Sequence, residues 1–123
     1  MQGILCLATT TVLAHVPIWD YPAPMRVISQ AKLKAFYTKH PDAGPALKAW
    51  CDEARKAFWE TPQQIKNLYR SASFVGHNRV VFNIHGNKYR LVVAVAYNFG
   101  AVYIKFVGSH ADYDGIDAAT VDQ

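Results

Sequence analysis

Two strand-like segments joined by a pair of turn residues constrain the fold of this chain most strongly. Residues 79–85 and 88–97 are rich in Val, Ile, Phe and Tyr, which are favoured in strands, and Gly86-Asn87 between them is typical of a tight β-hairpin. A two-residue turn also sets the register, because it places Asn83 opposite Arg90. The segment therefore predicts an antiparallel pair of strands with a defined alignment.

Alternation of side chains along this hairpin predicts one apolar and one polar face. The apolar face would carry Val80, Phe82, Ile84, Tyr89, Leu91 and Val93. The polar face would carry His85, Asn83, Lys88 and Arg90. We expect the apolar face to pack on the core, and the four polar side chains to project together from the other side of the sheet.

A third strand is predicted over residues 101–107, after a turn at Phe99-Gly100. A two-residue turn there would pair Val93 with Phe106, so that the apolar face continues into this strand. A shift by one residue would instead bury a lysine, at a considerable cost in free energy. The favoured register sends Lys105 and Tyr103 to the polar face.

The same register places Arg90 opposite Ser109, where the chain leaves the sheet. It thereby brings His110 and Tyr113 close to Arg90. Each polar residue on its own is more commonly a solvated or packing side chain. Their convergence on one face favours a functional site.

Three helices are predicted before the hairpin. Ser29 would cap a helix that runs to about Lys39, a second helix spans about 43–59, and Thr61 caps a third that begins at Pro62 and ends near residue 69. Residues 26–28 suit a short strand, and 71–78 are expected to form a loop. Helices followed by an antiparallel sheet predict an α+β domain, with the helices packed on one face of the sheet.

The first 24 residues differ from the rest of the chain. They contain no Lys or Arg and end in a proline-rich stretch, so we expect a non-domain extension or tail over 1–24 and a single domain over 25–123. The apolar run 4–16 is shorter than the roughly 20 residues that span a membrane. Two cysteines are too few for a disulfide framework, which favours a reducing, cytoplasmic location.

Positive charge is concentrated within the predicted domain. Residues 26–105 hold all thirteen Lys and Arg residues against four acidic ones, a net charge of +9. Such a stretch favours a polyanionic partner, with nucleic acid first among the candidates, although a solvated basic face is an equal alternative on charge alone.

The polar cluster suits RNA cleavage without a metal or cofactor. Attack of a ribose 2′-OH on the adjacent phosphorus needs a base, a cation for the phosphate and an acid for the leaving group. Arg90 suits the phosphate, because its planar guanidinium matches two phosphate oxygens. His110 suits proton transfer, which Lys88 or His85 could complement, and Tyr113 or Tyr103 could stack on a base. The predicted RNA-binding residues are His85, Asn83, Arg79, Lys105 and Tyr103.

Several segments resemble the HigB-type toxins of the RelE superfamily. The segments are "FYTKHP" at 36–41, "ASFVGHNRVVFNIHGNKYRLVVAVAY" at 72–97 and "VYIKFVGSHADYDGID" at 102–117, within a similarity that covers about 25–118. The resemblance implies a RelE-like fold and a ribosome-dependent endonuclease that cleaves translated mRNA. It also implies a HigA-type antitoxin with a helix-turn-helix domain.

The resemblance further implies roles for individual residues. Arg90 would contact the scissile phosphate, His110 would act near the leaving group, and Tyr113 matches a tyrosine of the family motif. The superfamily uses glutamate or lysine as the base, and here both Lys88 and His85 remain open. The alternative is a non-catalytic RNA- or ribosome-binding module, or a degenerate toxin, whose cations would hold phosphate without cleaving it.

Overall fold

The computed structural model describes residues 24–122, so the predicted extension lies outside the described residues except for Pro24. The strands are β1 (Arg26–Ile28), β2 (Ser73–Val75), β3 (Arg79–Ile84), β4 (Tyr89–Ala96) and β5 (Ala101–Ser109). The helices are α1 (Gln30–Lys39), α2 (Gly44–Lys56), α3 (Pro62–Leu68) and α4 (His110–Asp114), with short 3-10 turns at Pro41–Ala43 and Tyr97–Phe99.

All five strands form one sheet in the order β1-β5-β4-β3-β2. β1 runs parallel to β5, and the other neighbours are antiparallel. The α+β class is therefore confirmed. β2 was expected to be loop, and that prediction is wrong, because Ser73–Val75 pairs with the start of β3. This strand is too short for its alternation to stand out in the sequence.

The helices follow local signals in most places. Thr61 and Gln64 form the capping box that begins α3, as expected for the Thr-Pro start. Ser29 precedes α1 as predicted, but its φ of 71° prevents a side-chain cap, and the Gln30 side chain instead donates to the Val27 carbonyl at 3.0 Å. α2 ends earlier than predicted, because Ala57 is already extended.

The main core lies between the helices and one face of the sheet. The hairpin contributes its predicted apolar set, which is confirmed: Val80, Phe82, Ile84, Tyr89, Leu91 and Val93 are all buried there. The helices contribute Leu33, Leu47, Trp50, Ala54 and Ile65. The register Asn83 opposite Arg90 is also confirmed, and it fixes Arg90 on the face that points away from these helices.

The C-terminal segment covers part of that second face, which no sequence signal indicated. Ala118 packs against Val81 and Val92 in a small apolar cluster. Arg79 lies beneath this segment, only 3% exposed, and its guanidinium donates to the carbonyls of Ala118, at 3.0 Å, and Val121. The second face is thus closed at the Arg79 end and more open at the Arg90 end.

The predicted pairing of β4 with β5 is wrong, because the connecting loop is longer than two residues. The loop spans 97–100 and ends at Gly100, whose φ of 60° lies in the left-handed region that favours glycine. Val93 consequently pairs with Ile104. A β-bulge at Lys105 then shifts the register by one residue, so that Phe106 turns to the second face instead of the core.

Candidate functional site

Arg90 lies near the start of β4 on the second face, where it is half-buried. Gly108 of β5 is its partner, not Ser109 as predicted, and Asn83 of β3 lies on its other side. Its Nη1 donates to the carbonyl of Asn87 at 3.2 Å, and its Cζ is 5.9 Å from the centre of the Tyr113 ring. None of the ion pairs among residues 24–122 involves Arg90. Its charge therefore faces an aromatic ring and carbonyl oxygens, which do not neutralise it.

His110 and Tyr113 are delivered by α4, the short helix that follows β5. Ser109 begins this helix in a capping box with Asp112, so the turn is fixed by local hydrogen bonds. The His110 backbone N–H donates to the Lys88 carbonyl at 3.1 Å, which joins the helix start to the hairpin. The predicted approach of His110 and Tyr113 to the Arg90 end of the sheet is therefore present.

The His110 imidazole is held by an acid of its own helix. Its Nδ1 is 3.2 Å from Asp114 Oδ2, and the side chain is 48% exposed. When Nδ1 carries a proton it donates to Asp114, and Nε2 is then the nitrogen that can exchange a proton with a bound molecule.

Gly108 allows an aromatic side chain to lie across β5 beside Arg90. A Cβ at this position would come within 2.6 Å of Phe106 Cζ and 3.1 Å of Asp112 Cβ, both closer than ordinary contacts. Phe106 packs in the same apolar cluster as Tyr113. Glycine at 108 thus lets these two rings form the floor next to the Arg90 guanidinium.

Lys88 and His85 lie on the other side of the sheet from Arg90. The Lys88 ammonium donates to Asp42 Oδ2 at 2.5 Å, and His85 Nε2 is 4.0 Å from the same oxygen. Asp42, in the turn before α2, also accepts from the Tyr89 hydroxyl at 2.7 Å. The prediction that Lys88 and His85 share a face with Arg90 is therefore wrong. Strand alternation stops at Ile84, because His85 adopts a left-handed backbone with a φ of 54°.

This contact changes the acid–base properties of the three groups. Hydrogen bonds from Lys88 and then from Tyr89 lower the pKa of Asp42 to about 2. The hydrogen bond to Asp42 in turn raises the pKa of Lys88 and that of Tyr89. Lys88 is therefore a fully charged ammonium at neutral pH, which disfavours it as a general base.

The remaining predicted RNA-binding residues are spread over the second face. Asn83 is half-buried beside Arg90, whereas Tyr103 is exposed with Lys105 Nζ 5.9 Å from its ring centre. Arg79 is buried and engaged by the C-terminal segment, so its guanidinium is not accessible to a phosphate.

Two residues that determine the surroundings of the predicted site residues were missed in the sequence. Asp42 meets its partners only across a separation of more than 40 residues, so no local pattern marks it. Phe106 reaches the site only because of the bulge.

Within residues 24–122, no group of three or more His, Cys, Asp or Glu side chains is placed to hold a metal ion. In the same residues, no helix combines the length and the apolar composition that crossing a bilayer requires.

Comparison with known proteins identifies the family of this chain. A family model described as HigB_toxin, the RelE-like toxic component of a toxin-antitoxin system, matches residues 43–116, more than half of the chain. The chain belongs to the HigB toxin family. The matched segment contains Arg90, His110 and Tyr113, and it begins one residue after Asp42.

Similar relatives carry the same family name. The mRNA interferase toxin HigB of Escherichia coli K12 is 29% identical over 92 residues, which cover 73% of this chain and 88% of that protein. The mRNA interferase HigB proteins of Escherichia coli O157:H7 and Shigella flexneri match with the same identity and coverage. The resemblance seen in the sequence motifs is thus confirmed at the level of the family.

Proposed function

We propose that this HigB-family toxin is an mRNA interferase, an endoribonuclease that cleaves mRNA on the ribosome by attack of a ribose 2′-OH on the adjacent phosphorus. One observation carries the proposal: the Arg90 guanidinium lies beside Tyr113 on a partly open face, with no ion pair among the described residues, at the end of the sheet where His110 begins α4. The names of the relatives, mRNA interferases, support the same reaction class.

Arg90 binds the scissile phosphate in this proposal. Two of its N–H groups match two non-bridging oxygens, and the charge that grows on these oxygens in the transition state strengthens the interaction. The Tyr113 ring holds the guanidinium on one side and offers a surface on which an unstacked base can pack. Asn83 and Phe106 border the same position from the neighbouring strands.

His110 transfers the proton at the leaving group. Its Nε2 donates to the 5′-oxygen as the phosphorus–oxygen bond breaks, which leaves a 2′,3′-cyclic phosphate and a free 5′-hydroxyl. Asp114 accepts from Nδ1–H and thereby fixes the orientation of the ring. The proton of the 2′-OH goes to a separate acceptor. Lys88 does not suit this role, because the Asp42 contact keeps it protonated, and His85 does not, because it lies on the other side of the sheet from Arg90.

The partners follow from the same activity. Cleavage of translated mRNA requires access to ribosomes, which gives the protein a cytoplasmic site of action. Membership in a toxin-antitoxin family calls for an antitoxin, which we propose is of the HigA type with a helix-turn-helix domain. An acidic surface on that antitoxin would complement the net charge of +9 over residues 26–105 and speed association.

Expression of the chain without an antitoxin, followed by mapping of mRNA ends on translating ribosomes, tests the proposal. We expect growth arrest and new 5′-hydroxyl ends. We expect Arg90→Ala and His110→Ala to relieve the arrest and to lower cleavage by about 10²-fold or more while folded protein accumulates. Folded wild-type protein that binds ribosomes but produces no new ends would reject cleavage and favour a non-catalytic binding module.

A further inference from the structure

A groove with three lysines runs between α1 and the edge of β5. It has a volume of about 570 Å³. Its basic and aromatic lining, which suits an anionic ligand, consists of Lys32, Lys39, Lys105, Phe36 and Phe106. Lys32 and Lys39 lie on one stripe of α1, because residues seven apart share a helix face. Lys105 is the bulge residue of β5 and faces them from the sheet. The groove thus combines positive charge with an aromatic floor.

The groove adjoins the candidate site at Phe106. Phe106 lines it and also belongs to the apolar cluster of Tyr113, whose ring lies beside Arg90. Phe36 lines it from α1 and contacts the Tyr89 ring edge-on, with 5.3 Å between ring centres. Phe106 therefore links the groove to the surroundings of Arg90.

An acid of the protein itself occupies part of this groove. Asp122 forms an ion pair with Lys32, and its backbone carbonyl accepts from Lys105 Nζ at 3.2 Å. Lys32, Lys105 and Arg79 together lower the pKa of the Asp122 carboxyl. Asp122 is the only acid among the described residues that line the groove. A carboxylate from the C-terminal segment thus lies where three basic side chains from three different elements converge.

We infer that this groove binds the phosphodiester backbone of the mRNA next to the cleaved bond, and that Asp122 stands in for one of its phosphates until RNA displaces it. The inference rests on the proposed function, because the position of the groove beside the Arg90 site, with Phe106 shared between them, is what favours RNA over another polyanion. Lysines supply the phosphate contacts, and the exposed parts of the two Phe rings offer stacking surfaces for unpaired bases. The C-terminal segment then acts as a weak competitor of the substrate.

The test measures binding of a short, fully 2′-O-methylated RNA strand, which lacks the attacking hydroxyl and cannot be cleaved, to the full chain at several salt concentrations. We expect the double variant Lys39→Gln/Lys105→Gln to bind this RNA about tenfold more weakly than the wild type at low salt. Each phosphate contact adds about 0.7 to the slope of log affinity against log salt, so the slope should fall by about 1.4. Lys34→Gln/Lys56→Gln removes the same charge outside the groove and should leave the slope unchanged.

Asp122→Asn gives the opposite expectation. Removal of the competing charge should strengthen RNA binding about two- to fivefold at low salt, and the gain should vanish at high salt. Equal losses in the two double-lysine variants, or no gain from Asp122→Asn, would overturn the inference. So would a groove variant that loses polyglutamate binding but keeps RNA binding, because the groove would then receive an acidic protein segment.

Failure of the groove remains distinct from failure of the proposed function. Cleavage on ribosomes that depends on Arg90 and His110, together with unchanged RNA binding by the groove variant, would remove the groove and keep the enzyme. Melting temperatures of all variants, compared with the wild type, ensure that a loss of binding is not a loss of fold.

Discussion

Arg79 and Arg90 lie on the same face of the sheet, in neighbouring strands, but they differ in burial and in the groups that their guanidinium contacts. Arg79 is buried, and its guanidinium donates to two carbonyls of the C-terminal segment. Arg90 sits at the opposite end beside Tyr113, with its charge turned towards a partly open surface. The same residue type thus stabilises the fold in one place and offers a binding site in the other. What separates them is which part of the face the C-terminal segment covers.

The largest effect that would separate the two arginines is on catalysis. Arg90→Ala should lower cleavage on ribosomes by about 10²- to 10³-fold, the usual loss when one charge-stabilising donor is removed from a transition state. Its unfolding free energy should change by less than about 0.5 kcal/mol, since the side chain is half-exposed and unpaired with any acid in residues 24–122. Cleavage assays and urea unfolding of one preparation measure both. A large loss of stability would make Arg90 another structural arginine.

The converse variant should lose stability. Arg79→Met keeps the apolar stem but removes the hydrogen-bond donor to a buried carbonyl and to a part-buried one, and it should lower the unfolding free energy by about 2–4 kcal/mol. Urea midpoints check this. Arg70→Met provides the control, because residue 70 is exposed and its substitution should cost less than about 0.5 kcal/mol. Intact stability with weakened RNA binding would mean that Arg79 reaches the ligand after all.

A smaller effect on cleavage is expected at Gly108, where the absence of a Cβ leaves room for Phe106 beside Arg90. Gly108→Ala should displace the Phe106 ring, lower cleavage by about tenfold and cost about 1–3 kcal/mol. Gly115→Ala is the matched control, because its Cβ would make an ordinary 3.6 Å contact. Gly108→Ala combined with Phe106→Leu should recover part of the activity. If the single variant matches the control, Phe106 does not shape the site.

The smallest effect concerns the helix side of the same hairpin. The pKa of Asp42 falls from 3.8 to about 2 on folding, so its contribution to stability is complete above about pH 4 and lost as the pH falls through about 2. Between about pH 4 and pH 2, the melting temperature of the wild type should therefore fall further than that of Asp42→Asn. Parallel pH profiles would show that the contact with Lys88 does not contribute to stability.

Local pattern predicted the part of the molecule that depends on neighbours in sequence. The turn Gly86-Asn87 was sufficient for the register of Arg90 against Asn83, because a chain reversal centred on these two residues places the same pairs opposite each other. The Thr61 cap succeeded for the same reason. These features needed no knowledge of the rest of the chain.

Local sequence pattern could not predict contacts between segments that are distant in the sequence. The salt bridge of Lys88 with Asp42 overrides the face that alternation assigns to Lys88, and Asp42 comes from a turn far upstream. No sequence pattern near Arg79 predicts that residues 118–121 cover it. The predicted site thus kept Arg90, His110 and Tyr113 near one end of the sheet and lost Lys88 and His85 to its other side.

The extra residue at position 105 also affects how related chains are aligned. A homologue without it would keep the equivalents of Phe106, Val107 and Gly108 opposite the same residues of β4, so a gap placed a few positions away would equate an inward-facing residue with an outward-facing one. An alignment of β5 therefore identifies the neighbours of the guanidinium correctly only where its gap falls at the bulge.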